Sequence, residues 1–125
     1  HLPQHHEADS VCYTGTHDND TTLGWWRALD EASRDHLRRC LGSAEPRMPQ
    51  ALVDLAWASP APLSIVPLQD LLGLGSEARM NHPGTVGNNW RWRFAWSQLG
   101  EDFAPRLRRQ LAAHQRAFTR PGAQR

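Results

Sequence analysis

Tyr13-Thr-Gly-Thr-His-Asp-Asn-Asp-Thr-Thr-Leu-Gly-Trp-Trp26 decides how the rest of the chain is read. Val11, Cys12 and Tyr13 lead into it as a short apolar run, with the residue types of the end of a buried strand. Past Thr21 or Thr22 the pattern turns helical, through Trp25, Trp26 and Leu29. Between strand and helix stand five consecutive polar side chains, Thr16, His17, Asp18, Asn19 and Asp20, behind Gly15. Asp18, Asp20 or Thr21 would each serve as a helix cap. A cap takes one residue and this turn offers several, so the surplus points to chemistry. Enzymes of alternating strands and helices place their reacting groups at such strand ends.

Outward from that turn, Asp30 to Leu41 reads as a second helix with Leu37, Cys40 and Leu41 on one face, and Gly42 stops it. Glu45-Pro-Arg-Met-Pro49 opens a third, since proline is tolerated in a first turn. Leu52, Val53, Leu55, Ala56 and Trp57 give it a broad apolar face, and Ser59-Pro-Ala-Pro62 ends it. Leu63 to Val66 reads as a second buried strand that delivers Gln69 and Asp70 at its C-terminal end. Leu71 to Gly75 is expected to be a short helical turn, and Asn81 to Asn89 a loop. Trp90 to Trp96 alternates aromatics with Arg, as a strand-like segment does, with Arg91 and Arg93 available to pair with Asp70. Asp102 is placed to cap a last helix, with Pro105 in its first turn. Phe103, Leu107, Leu111, His114 and Phe118 form its apolar stripe, and residues 119–125 are expected to be a disordered tail. Two strands joined by a helical crossover of this length are parallel neighbours, which makes the chain a βαβα piece.

With 125 residues the chain is long enough for one compact domain. It is too short for a complete (β/α)8 barrel, which takes about 250 residues. Hydrophobic residues make up 39 % and there are six Trp, which excludes a chain disordered by composition. The net charge of +1 gives no general pull towards nucleic acid or a membrane surface. All 14 basic residues are Arg, and six of them follow Asp102 with no carboxylate among them. A solvated helix face explains that cluster better than an RNA contact. Cys12 and Cys40 form no C-x-x-C pair and read as two buried free thiols in a reducing compartment. No signal-like segment or long apolar run is present, so the expected location is cytoplasmic. His1, His5 and His6 could hold a metal, but three His beside a chain start read better as a surface loop, and no metal is expected. The start at His1-Leu-Pro, without Met, reads as the interior of a longer protein.

Thr14-Gly-Thr-His-Asp-Asn-Asp-Thr-Thr-Leu-Gly-Trp-Trp26 closely resembles the strand-and-turn motif of the 4-α-glucanotransferases, the amylomaltases and disproportionating enzymes of glycoside hydrolase family 77. A second match lies in Val66-Pro-Leu-Gln-Asp-Leu-Leu-Gly-Leu-Gly75 and Ala78-Arg-Met-Asn-His-Pro-Gly-Thr-Val-Gly-Asn-Asn-Trp-Arg-Trp-Arg93. Two long motifs in the right order make the resemblance specific, over roughly residues 9 to 118. It implies an α/β fold, with residues 1–125 the C-terminal part of a (β/α)8 barrel domain containing strands seven and eight.

The resemblance also implies a function: transfer of α-1,4-glucan segments between maltooligosaccharides, with retention, through a covalent glycosyl-enzyme intermediate and without a cofactor. Such chemistry needs a nucleophile and an acid/base, two carboxyl groups about 5 Å apart, around an oxocarbenium-like transition state. A further fixed carboxylate stabilises that state electrostatically. In the family that role belongs to the Asp of the His-Asp-Asn motif, which carries over to Asp18. His17 becomes a ligand of sugar hydroxyls, since a neutral imidazole offers both a donor and an acceptor. Asn89 is the expected sugar contact of the 79–90 loop, with Asn81, Pro83 and Gly84 binding and shaping beside it. Asn88 stands where the family often has Gly, a departure that bears on the loop backbone. The nucleophilic Asp and the acid/base Glu of the family lie upstream of these motifs. The chain alone is therefore expected to be inactive, with the rest of its own barrel as partner. An α-glucan hydrolase is the alternative within the class, and a non-catalytic carbohydrate-binding module the alternative outside it.

Overall fold

The structure is a computed structural model and describes residues 6, 7 and 9–117. The chain divides at Phe94 into two compact units. The larger unit runs β1 (Val11–Tyr13), α1 (Thr22–Ala28), α2 (Glu31–Leu41), α3 (Gln50–Trp57), β2 (Leu63–Ile65) and α4 (Leu68–Leu71), followed by a 3-10 turn at Ser76–Ala78. β1 and β2 pair in parallel, with Val11 opposite Leu63, Cys12 opposite Ser64 and Tyr13 opposite Ile65. This is the strand, helical crossover, strand, helix order that the sequence predicts, although the short helix after β2 spans Leu68–Leu71 and not Leu71 to Gly75.

The helix boundaries follow local chemistry. Thr21 caps α1, its hydroxyl accepting from the Gly24 amide at 3.0 Å. Asp30 caps α2 by accepting from the Ser33 amide at 2.7 Å. That backbone donor, the largest of several, holds the Asp30 carboxyl below its ordinary value of 3.8. Gly42 ends α2 in the left-handed region, φ 63°, where a glycine carries no Cβ penalty. Arg34 and Arg38 of α2 lie over the Trp26 ring of α1 at 5.9 and 5.8 Å. Arg34 also donates to the Trp26 and Arg27 carbonyls at 3.2 and 2.7 Å, so it ties down the C-terminal end of α1. Glu31, and then Asp35, raise the Arg38 guanidinium above its ordinary range.

The core lies on one side of the small sheet. Cys12 packs there with Ala56 and Ala61, and Val53 and Trp57 of α3 are buried. The opposite face corrects the expectation of two buried strands. Val11 and Tyr13 are 43 % and 51 % exposed, and their register partners Leu63 and Ile65 are 52 % and 42 % exposed. Successive side chains point to opposite faces of a strand, so helices on one side cover only one set. Cys40 is likewise exposed, with its Sγ 3.5 Å from His36 Nε2 on α2.

Residues 90–94 form no strand. Trp90 sits in the left-handed region at φ 62°, which turns the chain out of an extended path. The expected pairing of Arg91 and Arg93 with Asp70 does not occur. Arg91 donates to Asn88, and Arg93 donates to the carbonyls of Trp90 and Trp92. His1, His5, Phe118 and the expected tail at 119–125 lie outside the described residues, while His6 Nδ1 lies 2.7 Å from Ser59 Oγ.

The smaller unit holds a 3-10 turn at Trp96–Gln98 and α5 (Phe103–Ala113). Phe103, Leu107, Leu111 and His114 are its half-buried stripe. Asp102 does not cap it: the residue is itself helical, φ −81° and ψ −8°, and its carboxylate meets Arg109 at 3.3 Å instead.

Candidate active site

Most polar side chains between β1 and α1 are engaged in hydrogen bonds within the fold. Thr14 at the strand end donates to Asp70 Oδ2 at 2.9 Å. Asn19 Oδ1 accepts from the amide and the hydroxyl of Thr16 at 2.8 and 2.9 Å, and the Asn19 amide donates back to the Thr16 carbonyl. The backbone bond closes a four-residue β-turn, and the Asn19 side chain reinforces it by accepting from the amide three residues back. Asp20 accepts from the Ser76 hydroxyl at 2.7 Å and from the Thr21 amide. Thr22 donates to Asp70 twice, from its amide at 2.9 Å and its hydroxyl at 2.8 Å. Asp70 is buried, at 4 % exposure, and clamps both ends of the turn.

What remains at the tip is His17 and Asp18, with side chains about half exposed at 55 % and 50 %. His17 Nε2 lies 3.4 Å from Asp18 Oδ1. Asn81 donates its amide to that same Oδ1 at 2.6 Å. Among the described residues, Asp18 Oδ2 takes no hydrogen bond. The Asp18 carbonyl accepts from Arg79 Nη2 at 2.7 Å, and Arg79 Nε donates to the Asn81 carbonyl at 2.8 Å. Beside the tip opens a cleft of about 490 Å³, with Tyr13, Thr16, His17, Ile65, Arg79 and Met80 among its lining residues. That is a volume in the range of small-ligand sites.

Of the residues singled out from the sequence, the fold thus joins His17, Asp18 and Asn81. Asn89 is held within its own loop. Its carboxamide accepts from the His82 amide at 2.9 Å and donates to the carbonyl and hydroxyl of Thr85. Pro83 and Gly84 lie on the exposed turn this closes, with Gly84 at φ 77°. Asn88 adopts φ 59°, a conformation open to Gly and tolerated by Asn, so the departure from Gly keeps a left-handed backbone there. The structure adds two neighbours outside the expected site residues. Arg79 braces Asp18, and the Trp90 ring lies 4.9 Å from His17, tilted by 39°. The signal for both was their place in the second motif; the contacts themselves span more than sixty residues.

Comparison with known proteins identifies the family of the chain. The model of glycoside hydrolase family 77, described as 4-alpha-glucanotransferase, matches residues 1–98. The chain belongs to the 4-alpha-glucanotransferase family. A 4-alpha-glucanotransferase of Thermus thermophilus is 42 % identical over 123 residues, 92 % of this chain and 25 % of that protein. A chloroplastic/amyloplastic relative from Solanum tuberosum is 42 % identical over 120 residues, covering 93 % of this chain and 21 % of its own length. Among solved structures, amylomaltase from Streptococcus agalactiae in complex with acarbose superposes with a TM-score of 0.84 at 28 % identity, over 94 % of this chain and 24 % of that one. The chain therefore spans about a fifth to a quarter of these family members. Among its described residues, no helix is long and apolar enough to cross a membrane, and no three His, Cys, Asp or Glu side chains gather as metal ligands.

Proposed function

We propose that this chain is the C-terminal portion, with strands seven and eight, of a (β/α)8 barrel enzyme, a cytoplasmic 4-α-glucanotransferase. The enzyme transfers α-1,4-glucan segments between maltooligosaccharides with retention, through a covalent glycosyl-enzyme intermediate. Asp18 stabilises the oxocarbenium-like transition state and His17 binds sugar hydroxyls. Asn81 acts beside them, and Asn89, Pro83 and Gly84 form the loop that closes over the sugar. The observation that carries this reading is the Asp18 carboxylate: one oxygen is fixed by Asn81, and the other is left open at a protruding turn. A carboxylate held in place before charge develops needs no reorganisation during the reaction.

The nucleophile and the acid/base belong to upstream strands, so the chain alone is inactive. Its partner is the rest of the barrel, seated on the exposed apolar face of Val11, Tyr13, Leu63 and Ile65. Transfer ranks above hydrolysis because the relatives are named as transferases.

The test is Asp18→Asn in the full-length enzyme. Loss of one correctly placed charge at the transition state lowers kcat for maltotriose disproportionation by about 100-fold or more. KM and thermal unfolding stay close to the parent, since Asp18 is exposed and Asn can still accept from Asn81. A variant that keeps parental kcat removes Asp18 from the mechanism.

A further inference from the structure

We infer that Arg79 is a positioning residue for the Asp18 carboxylate, which rests on the role proposed above for Asp18. One guanidinium bridges two backbone carbonyls 63 residues apart: Nη2 donates to the Asp18 carbonyl at 2.7 Å and Nε to the Asn81 carbonyl at 2.8 Å. Asn81 closes the ring by donating to Asp18 Oδ1 at 2.6 Å. Asp18 is thereby gripped at its backbone and at one carboxylate oxygen, by two residues of the same short segment.

The geometry fits arginine specifically. Its rigid planar fork presents donors at fixed angles, whereas a lysine ammonium is a single compact point on a flexible stem. Both carbonyls are neutral acceptors, so Arg79 is not here to neutralise a carboxylate, and it leaves the charge on Asp18 intact. Asp18 is half exposed and its turn is otherwise closed only by Asn19. Nothing else among the described residues fixes the Asp18 carbonyl. Loss of the brace therefore releases the tip while Asp70, Thr21 and Thr22 still hold the ends of the turn and the start of α1.

The experiment compares the full-length enzyme with Arg79→Ala and Arg79→Lys, measuring kcat and KM with maltotriose and thermal unfolding. A displacement of the order of an ångström at a reacting group costs about 100-fold. Arg79→Ala should lose about that much in kcat with KM little changed, because the interaction lost matters in the transition state and not in ground-state binding. Millimolar guanidinium should restore part of the kcat of Arg79→Ala, and Arg79→Lys should remain well below the parent. Parental kcat in a folded Arg79→Ala, full activity in Arg79→Lys, or a raised KM at constant kcat would each overturn the inference; the last would make Arg79 a substrate contact. If Arg79→Ala does not fold, Asn81→Ala decides. It removes only the side-chain bond to Asp18 and must lower kcat in the same way, and an unchanged kcat refutes the brace. A parent enzyme without glucan transfer would instead overturn the proposed function, and this inference with it.

Discussion

Asp70→Ala offers the sharpest test of how the candidate site is held. The side chain accepts three hydrogen bonds: Thr14 Oγ1 at 2.9 Å, the Thr22 amide at 2.9 Å and Thr22 Oγ1 at 2.8 Å. Asp70 and Thr22 are both 4 % exposed, so water cannot replace the lost acceptor at Thr22. The Thr22 amide is also one of the first four donors of α1, which have no partner inside the helix. Thr14 is only half buried, and its hydroxyl can rotate towards solvent. The irreducible loss is therefore at Thr22. A hydrogen bond to a charged acceptor contributes about 1.5–3 kcal/mol, and a buried donor left alone costs about 1–3 kcal/mol. We expect Asp70→Ala to destabilise the protein by about 3 kcal/mol, because two donors of Thr22, its amide and its hydroxyl, lose their acceptor at about 1–3 kcal/mol each.

The conservative change separates this account from simple loss of packing. Asp70→Asn keeps nearly the same volume and one acceptor oxygen, which can serve the Thr22 amide, while the threonine hydroxyls can turn to accept from the new NH2. It should cost about 1–2 kcal/mol, one ordinary hydrogen bond. Urea unfolding of the full-length protein, followed by circular dichroism, gives both values. Thr22→Val combined with Asp70→Ala should cost less than the sum of the two single changes, because both remove the same bond. An Asp70→Ala variant within about 1 kcal/mol of the parent would match an ordinary surface-like substitution and refute the clamp.

Two further outcomes follow from local geometry. A Cβ on Gly24 would lie 2.7 Å from Asp20 Oδ1 and 2.8 Å from the Ser76 amide nitrogen, and against the Ser76 hydroxyl. Overpacking of that kind costs about 1–3 kcal/mol and the helix propensity of Ala returns about 1 kcal/mol, so thermal unfolding should show Gly24→Ala about 1 kcal/mol less stable. Parental stability would mean that the Ser76 turn yields freely. The Asp30 carboxyl is held below 3.8, so its contribution to α2 is present above that value and is lost as pH falls through the lower folded value. The Ser33 amide resonance should shift in that acid window and stay flat in Asp30→Asn, which caps without titrating; a flat parental signal would refute the bond.

The parts of this fold legible in sequence are those whose cause is local. Thr21, Asp30 and Gly42 bound helices where caps and a left-handed glycine are favoured, and the parallel pairing of β1 with β2 follows from the crossover between them. Misreadings arise where the cause is distant. Asp102 has the chemistry of a cap, but its backbone is helical where a cap's is extended, and its carboxylate meets Arg109, seven residues on, instead. Trp90 to Phe94 has the alternation of a strand but no strand beside it among the described residues, and the positive φ at Trp90 breaks the extended path. In sequence Asp70 is one of two polar residues at the second strand end. Its importance depends on Thr14 and Thr22, 56 and 48 residues away.

The same contrast explains why His17 and Asp18 stood out and Arg79 did not. A helix start uses up a definable set of polar groups. Here Thr21 makes the cap, Asn19 and Thr16 close the turn, Asp20 reaches Ser76, and Thr14 and Thr22 bind Asp70. Once those needs are met, two side chains remain, adjacent and facing outward, and no folding requirement accounts for them. A surplus of that kind can be counted in a sequence. Arg79 leaves no such surplus, because one arginine in a loop satisfies many ordinary roles. Its part depends on two carbonyls, and carbonyls carry no residue identity. A brace built from backbone acceptors is invisible in sequence even when the group it braces is plain. For a site with this division, residues that meet the substrate can be sought by excess polarity at strand ends. Residues that aim them must be sought in coordinates, among arginines and asparagines that donate to the backbone of the first set.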